Sequence, residues 1–392
     1  MLFLVGTNVQ SGWVFVLSAL LLGVAGAGVV LPFRMSRGVA VARRAPDEAF
    51  AGDEVRVDLA MTNRSRRLAL SLSVRDPFVA PATVFVPWLR PGETVTAVTT
   101  RTVARRGVVD GGPVEVASSA PFGVAEVRRA VRAPGRIVVY PRLVPVGDLA
   151  LLGASGAGGE STRSAGRGPG REFHGVREYQ PGDSLRHVHW PSTARHGSLI
   201  VREFEPDRPA RLSVVVDTWA DAGSNGPETP LDLCCSAGAS VAAEALRRGH
   251  GITVAGGRNG AVAVAPDADR ATALTWFAEL RAPGGLALAD VLRQAGASLA
   301  GSASILLVFP TWHSNPAPAL APEVERLGGE GRKVAAVVVD AAAARPSVPF
   351  LSPAEVGELV AALDAAGADV HLVRAGDDLQ AVLARRPGGD VR

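Results

Sequence analysis

The chain has 392 residues, a formal net charge of +3, 47% hydrophobic residues and 5% aromatic residues. This length allows roughly two or three domains. So small a net charge, with no run of Lys or Arg interleaved with aromatic residues, gives no argument for nucleic-acid binding. The two cysteines, Cys234 and Cys235, are neighbours, and a disulfide between them would be badly strained. They are compatible with a reducing compartment.

The N-terminal segment predicts a membrane anchor over residues 1–37. The first 33 residues contain no charged side chain. The apolar stretch from about Gly12 to Phe33 can cross a hydrocarbon core of about 30 Å at a rise of about 1.5 Å per residue. Four arginines follow it before the first acidic residue, Asp47: Arg34, Arg37, Arg43 and Arg44. By the positive-inside rule this flank, and the body after it, should face the cytoplasm.

Two other interpretations of this segment stay open. Ala25-Gly26-Ala27 resembles the cleavage site of a secretory signal peptide. The segment nevertheless lacks a charged n-region, and its basic cluster is on the wrong side for a signal peptide. The second interpretation is a buried helix of a soluble protein, which the length and the uninterrupted apolar composition disfavour.

Residues 38–140 alternate apolar and polar side chains with a period of two. Five runs are predicted as strands: Val55–Met61, Leu68–Val74, Thr94–Thr100, Val114–Ala117 and Val124–Val131. Turn-forming pairs such as Gly52-Asp53 and Pro91-Gly92 separate them. Short strands at this spacing predict a small antiparallel β-sandwich. The domain carries no catalytic constellation, which favours a spacer or an interaction module.

Residues 141–170 are predicted to be a flexible linker. Gly153 to Gly170 is rich in Gly, Ser and Arg, a composition typical of flexible connections. The stretch lacks the G-x-x-x-x-G-K-[ST] phosphate loop, and no strong strand leads into a helix there. We therefore expect this chain to bind no nucleotide, so any ATP-driven work would come from a partner.

A segment dense in charged and aromatic residues follows at 171–207. Gln180-Pro181-Gly182-Asp183 is a strong turn signal. Asp183 or Ser184 can cap a short helix, which His196-Gly197 would end, and Leu199–Phe204 is predicted as a strand. The segment therefore predicts a strand, a turn, a short helix and a second strand.

Residues 208–392 alternate strands and helices. Six strands are predicted: Leu212–Asp217, Gly251–Gly256, Ala261–Ala265, Ser304–Phe309, Val334–Asp340 and Val370–Val373. The predicted helices are Leu231–Arg248, Ala271–Leu280, Leu286–Leu299, Ala321–Gly328, Pro353–Ala366 and Asp378–Arg385. Apolar strands between amphipathic helices predict an α/β domain whose mostly parallel sheet is covered on both faces.

The charged segment carries a family resemblance. The run R-E-Y-Q-P-G-D-S-L-R-H-V-H-W-P-S-T-A-R, followed by a Gly and L-I-V-R-E-F-E, resembles the signature of the DUF58 family. The resemblance implies a membrane-anchored protein whose C-terminal part is similar to a von Willebrand factor A domain, partnered with a MoxR-type AAA+ ATPase. Such proteins often have two membrane helices, so Met1 to Val9 is interpreted as the remnant of a first helix or a truncated start. The chain departs from the family pattern at Pro191, where a basic residue is commoner, and at His189, where an acidic one is common.

The same resemblance implies a place for a metal ion. In von Willebrand factor A domains the first strand ends in D-x-S-x-S, whose oxygens suit Mg²⁺. Here the run is Asp217-Thr218-Trp219-Ala220-Asp221, and Thr311-Trp312 stands where T-D-G usually follows the fourth strand. Asp217, Asp221 and Thr311 remain as weak candidate ligands. We expect a degraded site that serves as a contact surface, and no cofactor.

His187 and His189 form the other candidate metal site. Two histidines separated by one residue can bind Zn²⁺ when they face one way, with Asp183 or His174 completing the set. On the predicted short helix they would point about 200° apart. The segment also lacks the strained G-x-S-x-G elbow of a serine nucleophile. A metal-dependent hydrolytic enzyme built on His187, His189 and Asp183 stays the alternative. No catalytic residue is predicted.

Five residues of the charged segment are predicted to form a buried or half-buried network against the edge of the C-terminal sheet. They are Arg177, Asp183, Arg186, Trp190 and Arg195. Arginine pairs bidentately with carboxylates, and Trp190 would cover the pairs from water. Removing one partner of a buried network costs about 3–5 kcal/mol. We therefore expect Asp183→Ala and Arg186→Ala to destabilise the protein.

These features predict a membrane-anchored, cytoplasm-facing scaffold or adaptor that is not an enzyme. The resemblance adds a MoxR-type AAA+ ATPase as partner and a chaperone-like role in the maturation of other proteins or complexes. The lipid membrane is the second expected partner, and no nucleic acid is expected. An extracellular adhesion module stays open beside the hydrolytic enzyme as an alternative class.

Overall fold

The computed structural model describes residues 12–123, 125–146, 173–180, 188–204, 211–218, 228–282, 286–311, 316–340, 351–374 and 376–384, without the side chains of 173–177, 196, 202–204 and 258. Contacts divide the chain into two compact units. One comprises Met1–Leu143, Gly226–Glu228 and Leu274–Leu280, and the other Val144–Asn225, Thr229–Ala273 and Arg281–Arg392. The proposed helix remnant at Met1 to Val9 and the Gly153 to Gly170 stretch lie outside the described residues.

The first unit begins with helix α1, Gly12–Arg37, of 26 residues. It is long and apolar enough to cross a membrane, as predicted. Gly28, Pro32 and Ser36 are buried. Residues four apart share one face of a helix, so the C-terminal part of α1 packs one narrow face of small side chains against the protein.

Strands β1 to β10 follow α1 in the described part of this unit. They are β1 Val39–Arg44, β2 Glu48–Phe50, β3 Glu54–Asn63, β4 Ala69–Asp76, β5 Ala82–Leu89, β6 Thr94–Thr102, β7 Gly107–Asp110, β8 Val114–Ser118, β9 Val127–Val131 and β10 Arg136–Tyr140. Two antiparallel sheets, in the orders β1-β3-β6 and β5-β4-β8-β9, form the layers, and a small sheet β2-β10-β7 accompanies them. The predicted antiparallel strands are confirmed, within a few residues of the expected bounds.

The core of this unit lies between the inward faces of the strands. β3 shows the required alternation, because Val57, Leu59 and Met61 are fully buried. Burying one side chain of this size stabilises a fold by about 1.5–3 kcal/mol. On β4 and β8, Leu72, Val74 and similar side chains complete the cluster.

The second unit contains a six-stranded sheet in the order β15-β14-β13-β16-β17-β18. Its strands are β13 Arg211–Val216, β14 Gly251–Ala255, β15 Ala261–Val264, β16 Ser304–Pro310, β17 Lys333–Val339 and β18 Asp369–Val373. All neighbouring pairs are parallel except β14 with β15, which is antiparallel. Counted within the sheet, the order is 3-2-1-4-5-6, so it reverses between β13 and β16.

Helices connect the strands of this sheet. They are α3 Pro230–Arg247, α4 Arg270–Glu279, α5 Leu288–Gln294, α6 Gly296–Leu299, α7 Ala317–Gly329, α8 Pro353–Ala365 and α9 Leu379–Ala384. α3 and α8 begin with complete capping boxes, formed by Thr229 with Asp232 and by Ser352 with Glu355. The predicted mostly parallel sheet with intervening helices is confirmed.

Two helices of this unit differ from their predicted bounds. The segment predicted as one helix over Leu286–Leu299 is interrupted at Ala295, just before Gly296, a weak helix former. α7 starts at Ala317, a turn earlier than the predicted Ala321, and tolerates Pro322 inside it. A proline there removes one backbone hydrogen bond, which the amphipathic packing of the longer helix evidently outweighs.

Candidate functional site: the carboxyl edge of the parallel sheet

Polar residues follow three neighbouring parallel strands at the same edge of the sheet. Asp217 follows β13, Thr311 follows β16 and Asp340 follows β17. The backbone N–H of each residue continues the hydrogen-bond ladder to the neighbouring strand. The N–H of Asp217 donates to Val308 O at 2.9 Å, that of Thr311 to Val339 O at 2.8 Å, and that of Asp340 to Val373 O at 2.8 Å. These bonds hold the three residues in a row at the carboxyl ends of the strands.

The edge is buried where the strand order reverses. Asp217, Thr218 and Thr311 are all buried. No described residue is a hydrogen-bond partner for the buried Thr218 Oγ1, and a buried hydroxyl without a partner costs about 1–3 kcal/mol. Open α/β sheets bind their ligands at this reversal point. The edge is therefore the best candidate for a binding surface in the second unit.

The described residues make an incomplete metal site. Asp217 supplies one carboxylate, and Thr218 and Thr311 supply hydroxyls, whereas Asp221 lies outside the described residues. Among the residues that are described, no group of three or more His, Cys, Asp or Glu could hold a metal ion. Mg²⁺ is usually held by one or two carboxylates together with waters or phosphates. Asp340 adds a carboxylate after the next strand, but Asp221 is not described, so the expected degraded metal site stays a prediction.

The charged segment folds into a small sheet and one short helix. Strand β11, Phe173–Glu178, pairs antiparallel with β12, Ile200–Phe204. Helix α2, Trp190–His196, ends at Gly197 in the left-handed region with φ of 70°, as the His196-Gly197 signal predicts. Val188 forms an isolated antiparallel bridge with Val201. The predicted order of strand, helix and strand is confirmed in the described residues.

The start of this helix differs from the prediction. Val188 belongs to a β-bridge and His189 precedes the first turn, so a helix capped at Asp183 or Ser184 and running through Val188 is wrong. Proline explains the later start, because Pro191 has a fixed φ and no N–H and therefore favours the first turn. The 200° separation expected between His187 and His189 consequently does not apply.

The candidate zinc residues are only partly described. His189 Nδ1 lies 2.8 Å from Ser192 Oγ, three residues along the chain at the start of α2. Such short-range bonds at helix starts commonly satisfy local polar groups. His187 and Asp183 lie outside the described residues, so the structure does not test the set that a zinc-dependent hydrolase would need.

The predicted network of the charged segment is described in part. Trp190 is 65% exposed and Arg195 is also exposed, which differs from the burial expected of them. The backbone of Arg177 pairs with Val201 on β12. The side chain of Arg177, and all of Asp183 and Arg186, lie outside the description. Pairing among these residues, and its cover by Trp190, stays a prediction.

A buried charge cluster occurs instead in the sandwich. Asp76 lies between two guanidiniums: Arg43 Nε donates to Asp76 Oδ2 at 3.1 Å, and Arg101 Nη1 lies 3.0 Å from the same oxygen. All three side chains are buried. Arg43 also donates to Ala133 O, and its guanidinium lies 4.6 Å from the ring centroid of Phe78. Arg101 Nη2 has no partner in the described part of the chain.

Sequence reasoning missed this cluster and counted Arg43 as a membrane-flanking charge. The signal that reveals it is the inward phase of β1, in which Val39, Val41 and Arg43 are buried and the residues between them are not. Arg43 is neutralised by Asp76, so it adds no surface charge beside α1. Arg34, Arg37 and Arg44 remain exposed.

Comparison with known proteins supports the resemblance for part of the chain. Residues 175–341 match the model of the family described as "Protein of unknown function DUF58". The DUF58 resemblance is thereby confirmed for this segment. It comprises most of the small sheet, helix α2 and the larger sheet through β17, so the carboxyl edge lies within the DUF58 segment.

A curated relative matches a shorter stretch. The uncharacterized protein YeaD of Bacillus subtilis (strain 168) is 31% identical over 80 residues, which is 20% of this chain and 18% of the relative. The match thus spans less than a fifth of the relative's own length.

Solved structures give only weak matches. The CARDB domain of PF1109 from Pyrococcus furiosus, in complex with di-metal ions, is 16% identical with a TM-score of 0.21, over 26% of this chain and 86% of that one. A beta-glucosidase from Listeria innocua in complex with glucose is 16% identical with a TM-score of 0.15, over 26% of this chain and 16% of that one. Scores this low carry no argument about fold or activity.

Proposed function

We propose that this protein is a membrane-anchored, cytoplasm-facing scaffold or adaptor. It works with a MoxR-type AAA+ ATPase in the chaperone-like maturation of other proteins or complexes. The observation that carries the proposal is the junction after α1. Strand β1 begins at Val39, two residues after the helix ends, and the N–H of Arg64 donates to Gly38 O at 2.8 Å. The apolar helix is therefore fastened to the sandwich without a flexible spacer, as suits an anchor that positions the folded body.

The charges beside α1 support the cytoplasmic orientation. Arg34 and Arg37 lie in its last turn and are exposed, and the segment before them carries no charge. Basic residues next to a spanning helix are retained on the cytoplasmic side. Because Arg43 is buried against Asp76, the argument rests on the exposed arginines alone.

The carboxyl edge of the large sheet supports a binding role in the second unit. The strand order 3-2-1-4-5-6, with an antiparallel strand at one edge, supports a von Willebrand factor A-like domain. Asp217 and Thr311 then lie where such a domain would present its contact surface. The sequence contains no phosphate-cradling loop, so a partner would supply ATP hydrolysis.

Protease protection tests the orientation. The full chain with a C-terminal tag is digested in intact spheroplasts and in inverted membrane vesicles. We expect the tag to survive in spheroplasts and to be cleaved in inverted vesicles. Cleavage in intact spheroplasts would contradict the cytoplasmic orientation and favour the extracellular adhesion module.

Crosslinking in membranes tests the partner. The full chain is crosslinked in its native membrane, and captured proteins are identified by mass spectrometry. We expect a MoxR-type AAA+ ATPase, and we expect the nearly isosteric Asp217→Asn to reduce its capture several-fold because one buried carboxylate is lost at the edge. Glu325→Gln, at an exposed position of α7, is the matched control and should leave capture unchanged. Stoichiometric zinc together with hydrolysis of a small ester by the purified chain would instead establish the enzyme.

A further inference from the structure

Two large aromatic side chains are exposed on the outer face of the four-stranded sheet β5-β4-β8-β9. Phe85 is 63% exposed and Trp88 is 57% exposed, both on the edge strand β5. They pair across to Ser73 and Leu70 on β4. Exposed aromatic residues of this size on one sheet face commonly mark a contact surface.

Helix α1 lies over the same sheet. It contacts β4, β8 and β9 within the first unit. On β8, Val114 and Val116 face the core, so Ala117 between Val116 and Ser118 faces outward, and yet Ala117 is buried. Because α1 contacts β8, its buried face at Gly28, Pro32 and Ser36 is the one expected to cover the outer side of this strand.

The depth of this contact places the sheet at the bilayer surface. A spanning helix needs about 20 apolar residues, and the apolar stretch of α1 from Gly12 to Phe33 includes the turn that contains Gly28 and Pro32. That turn is also the one whose buried face meets the sheet, while Val29, Val30 and Phe33 beside it stay exposed. The sheet therefore lies close to the membrane boundary, within reach of the exposed side chains of Phe85 and Trp88.

Exposed arginines gather at the same end of the sandwich as the junction with α1. Val39 pairs with Asn63, and the connection from β3 to β4 begins directly after Asn63. This connection carries Arg64, Arg66 and Arg67, and the following β5–β6 turn carries Arg90; all four are exposed. The N–H of Gly92 donates to Asn63 O at 2.8 Å, which ties the two loops together.

Two further exposed apolar side chains complete this end. Leu68, just before β4, is 41% exposed, and Phe122, in the β8–β9 loop, is 53% exposed. Ser118 pairs with both Leu72 and Val127, so the β8–β9 loop lies at the end where β4 begins. Aromatic side chains flanked by arginines are typical of the membrane–water interface, where rings sit among headgroups and guanidiniums meet anionic lipid.

We propose that this end of the sandwich is a second membrane contact that binds anionic phospholipid beside α1. We call it the interfacial surface and define it by Leu68, Phe85, Trp88 and Phe122 with Arg64, Arg66, Arg67 and Arg90. The inference rests on α1 spanning the membrane, as in the proposed function. A lipid occupant follows from continuity with the apolar helix and from the charge of the loops. With two attachments, the sandwich is held in one orientation beside the leaflet and does not swing on one helix.

Fluorescence quenching by brominated lipid tests the aromatic part of this surface. The full chain is reconstituted in vesicles of phosphatidylcholine and phosphatidylglycerol whose acyl chains are brominated near the headgroup. Trp88→Phe should remove a measurable share of the quenchable emission. Trp190→Phe, which removes a comparably exposed indole from the DUF58 segment, should leave that share unchanged. If quenching is the same with and without Trp88, the interfacial surface does not touch lipid and the proposal is overturned.

Quenching of Trp13 in the same vesicles tests the membrane anchor separately. Trp13 lies at the N-terminal end of α1, about 30 Å along the helix from Phe33, so Trp13→Phe should remove a separate share of the quenching by lipids brominated near the headgroup. If it does not, the spanning helix, and with it the proposed anchor, fails. If Trp13 is quenched and Trp88 is not, the anchor stands and only the second contact fails.

Charge removal tests the lipid class. The triple variant Arg64→Gln, Arg66→Gln and Arg67→Gln should lower Trp88 quenching several-fold in vesicles with phosphatidylglycerol, because each basic residue near an anionic surface adds to binding. In vesicles of phosphatidylcholine alone, wild type and variant should agree. The control triple changes exposed arginines at the opposite end, Arg44→Gln, Arg56→Gln and Arg132→Gln, and should behave as wild type. Equal quenching of wild type and the first triple in anionic vesicles would overturn the anionic-lipid assignment.

Discussion

The charged segment at 171–207 is denser in charged residues than the sandwich, yet of these two regions it is the sandwich in which the structure shows an enclosed charge cluster. In the sandwich, Asp76 is fully enclosed between Arg43 and Arg101. In the described residues of the charged segment at 171–207, Trp190 and Arg195 are exposed. The density of charge along a sequence therefore says little about which charges are buried.

What decides burial is the phase of a charged residue within its strand. Arg43, Asp76 and Arg101 occupy buried positions of β1, β4 and β6. Once there, they need ionic partners, since an isolated buried charge costs several kcal/mol. Trp190 and Arg195 lie on a helix of seven residues. No strand alternation turns their side chains towards a core.

The strongest test of this comparison is Asp76→Asn. The substitution nearly preserves shape but leaves two buried guanidiniums without a carboxylate, so we expect the free energy of unfolding to fall by about 3–5 kcal/mol. Chemical denaturation of the full chain in detergent, monitored by circular dichroism, measures it.

A matched control lies on the surface of the same sandwich. Asp58 pairs with Arg56 at 2.8 Å, and the Arg56 side chain is exposed. Exposed pairs contribute about 0–1 kcal/mol, so Asp58→Asn should cost less than about 1 kcal/mol. Comparable losses for Asp76→Asn and Asp58→Asn would contradict the distinction between enclosed and exposed charge.

Much of the fold could be predicted because its signals are periodic and local. The alternation over Val55–Met61 becomes β3, and the apolar runs of the second unit become β13, β16 and β17. Strands β2 and β7 were beyond reach because three or four residues carry too little alternation to read. β5 was missed because Pro87 interrupts its pattern.

The candidate site was harder to predict because it depends on long-range pairing. Asp217 and Thr311 lie 94 positions apart in sequence and meet one edge only because β13 and β16 are neighbours in the sheet. The sequence did flag both through the family resemblance. Neither the burial of Thr218 nor the exposure of Trp190 follows from local pattern, since each depends on which elements cover it.

Thr218→Val extends the comparison of buried polar groups from charged side chains to an uncharged hydroxyl. Its buried hydroxyl has no partner among the described residues, so the nearly isosteric valine should raise the free energy of unfolding by about 1 kcal/mol. Thr229→Val is the opposite control, because Thr229 Oγ1 accepts from Asp232 N at 3.1 Å at the start of α3 and losing a cap costs about 1 kcal/mol. Thermal unfolding of both variants measures the sign. Destabilisation by Thr218→Val would show that the hydroxyl is satisfied.

Glu244 on α3 is an intermediate case whose effect depends on pH. The hydrogen bond from Arg247 lowers the pKa of Glu244 from 4.5 to about 2. A carboxyl whose pKa is lower in the folded state stabilises the fold above pH 4.5, and this contribution disappears as the pH falls towards 2. Because the Arg247 side chain is exposed, we expect Glu244→Gln to cost only about 1 kcal/mol at pH 7. Unfolding curves at pH 7 and pH 3 should show the cost shrinking; a constant difference would contradict the assignment.

The smallest expected changes in the free energy of unfolding are in the charged segment at 171–207. Arg195→Ala should change the free energy of unfolding by less than about 0.5 kcal/mol, since surface substitutions away from special features usually stay within that range. Trp190→Ala should cost no more than about 2 kcal/mol, because a side chain that is 65% exposed loses only its buried third. Both are measured by the same denaturation as Asp76→Asn. If either variant lost about 3 kcal/mol, these side chains would take part in an enclosed network after all. Burial would then follow charge density in this segment, and the contrast with the sandwich would disappear.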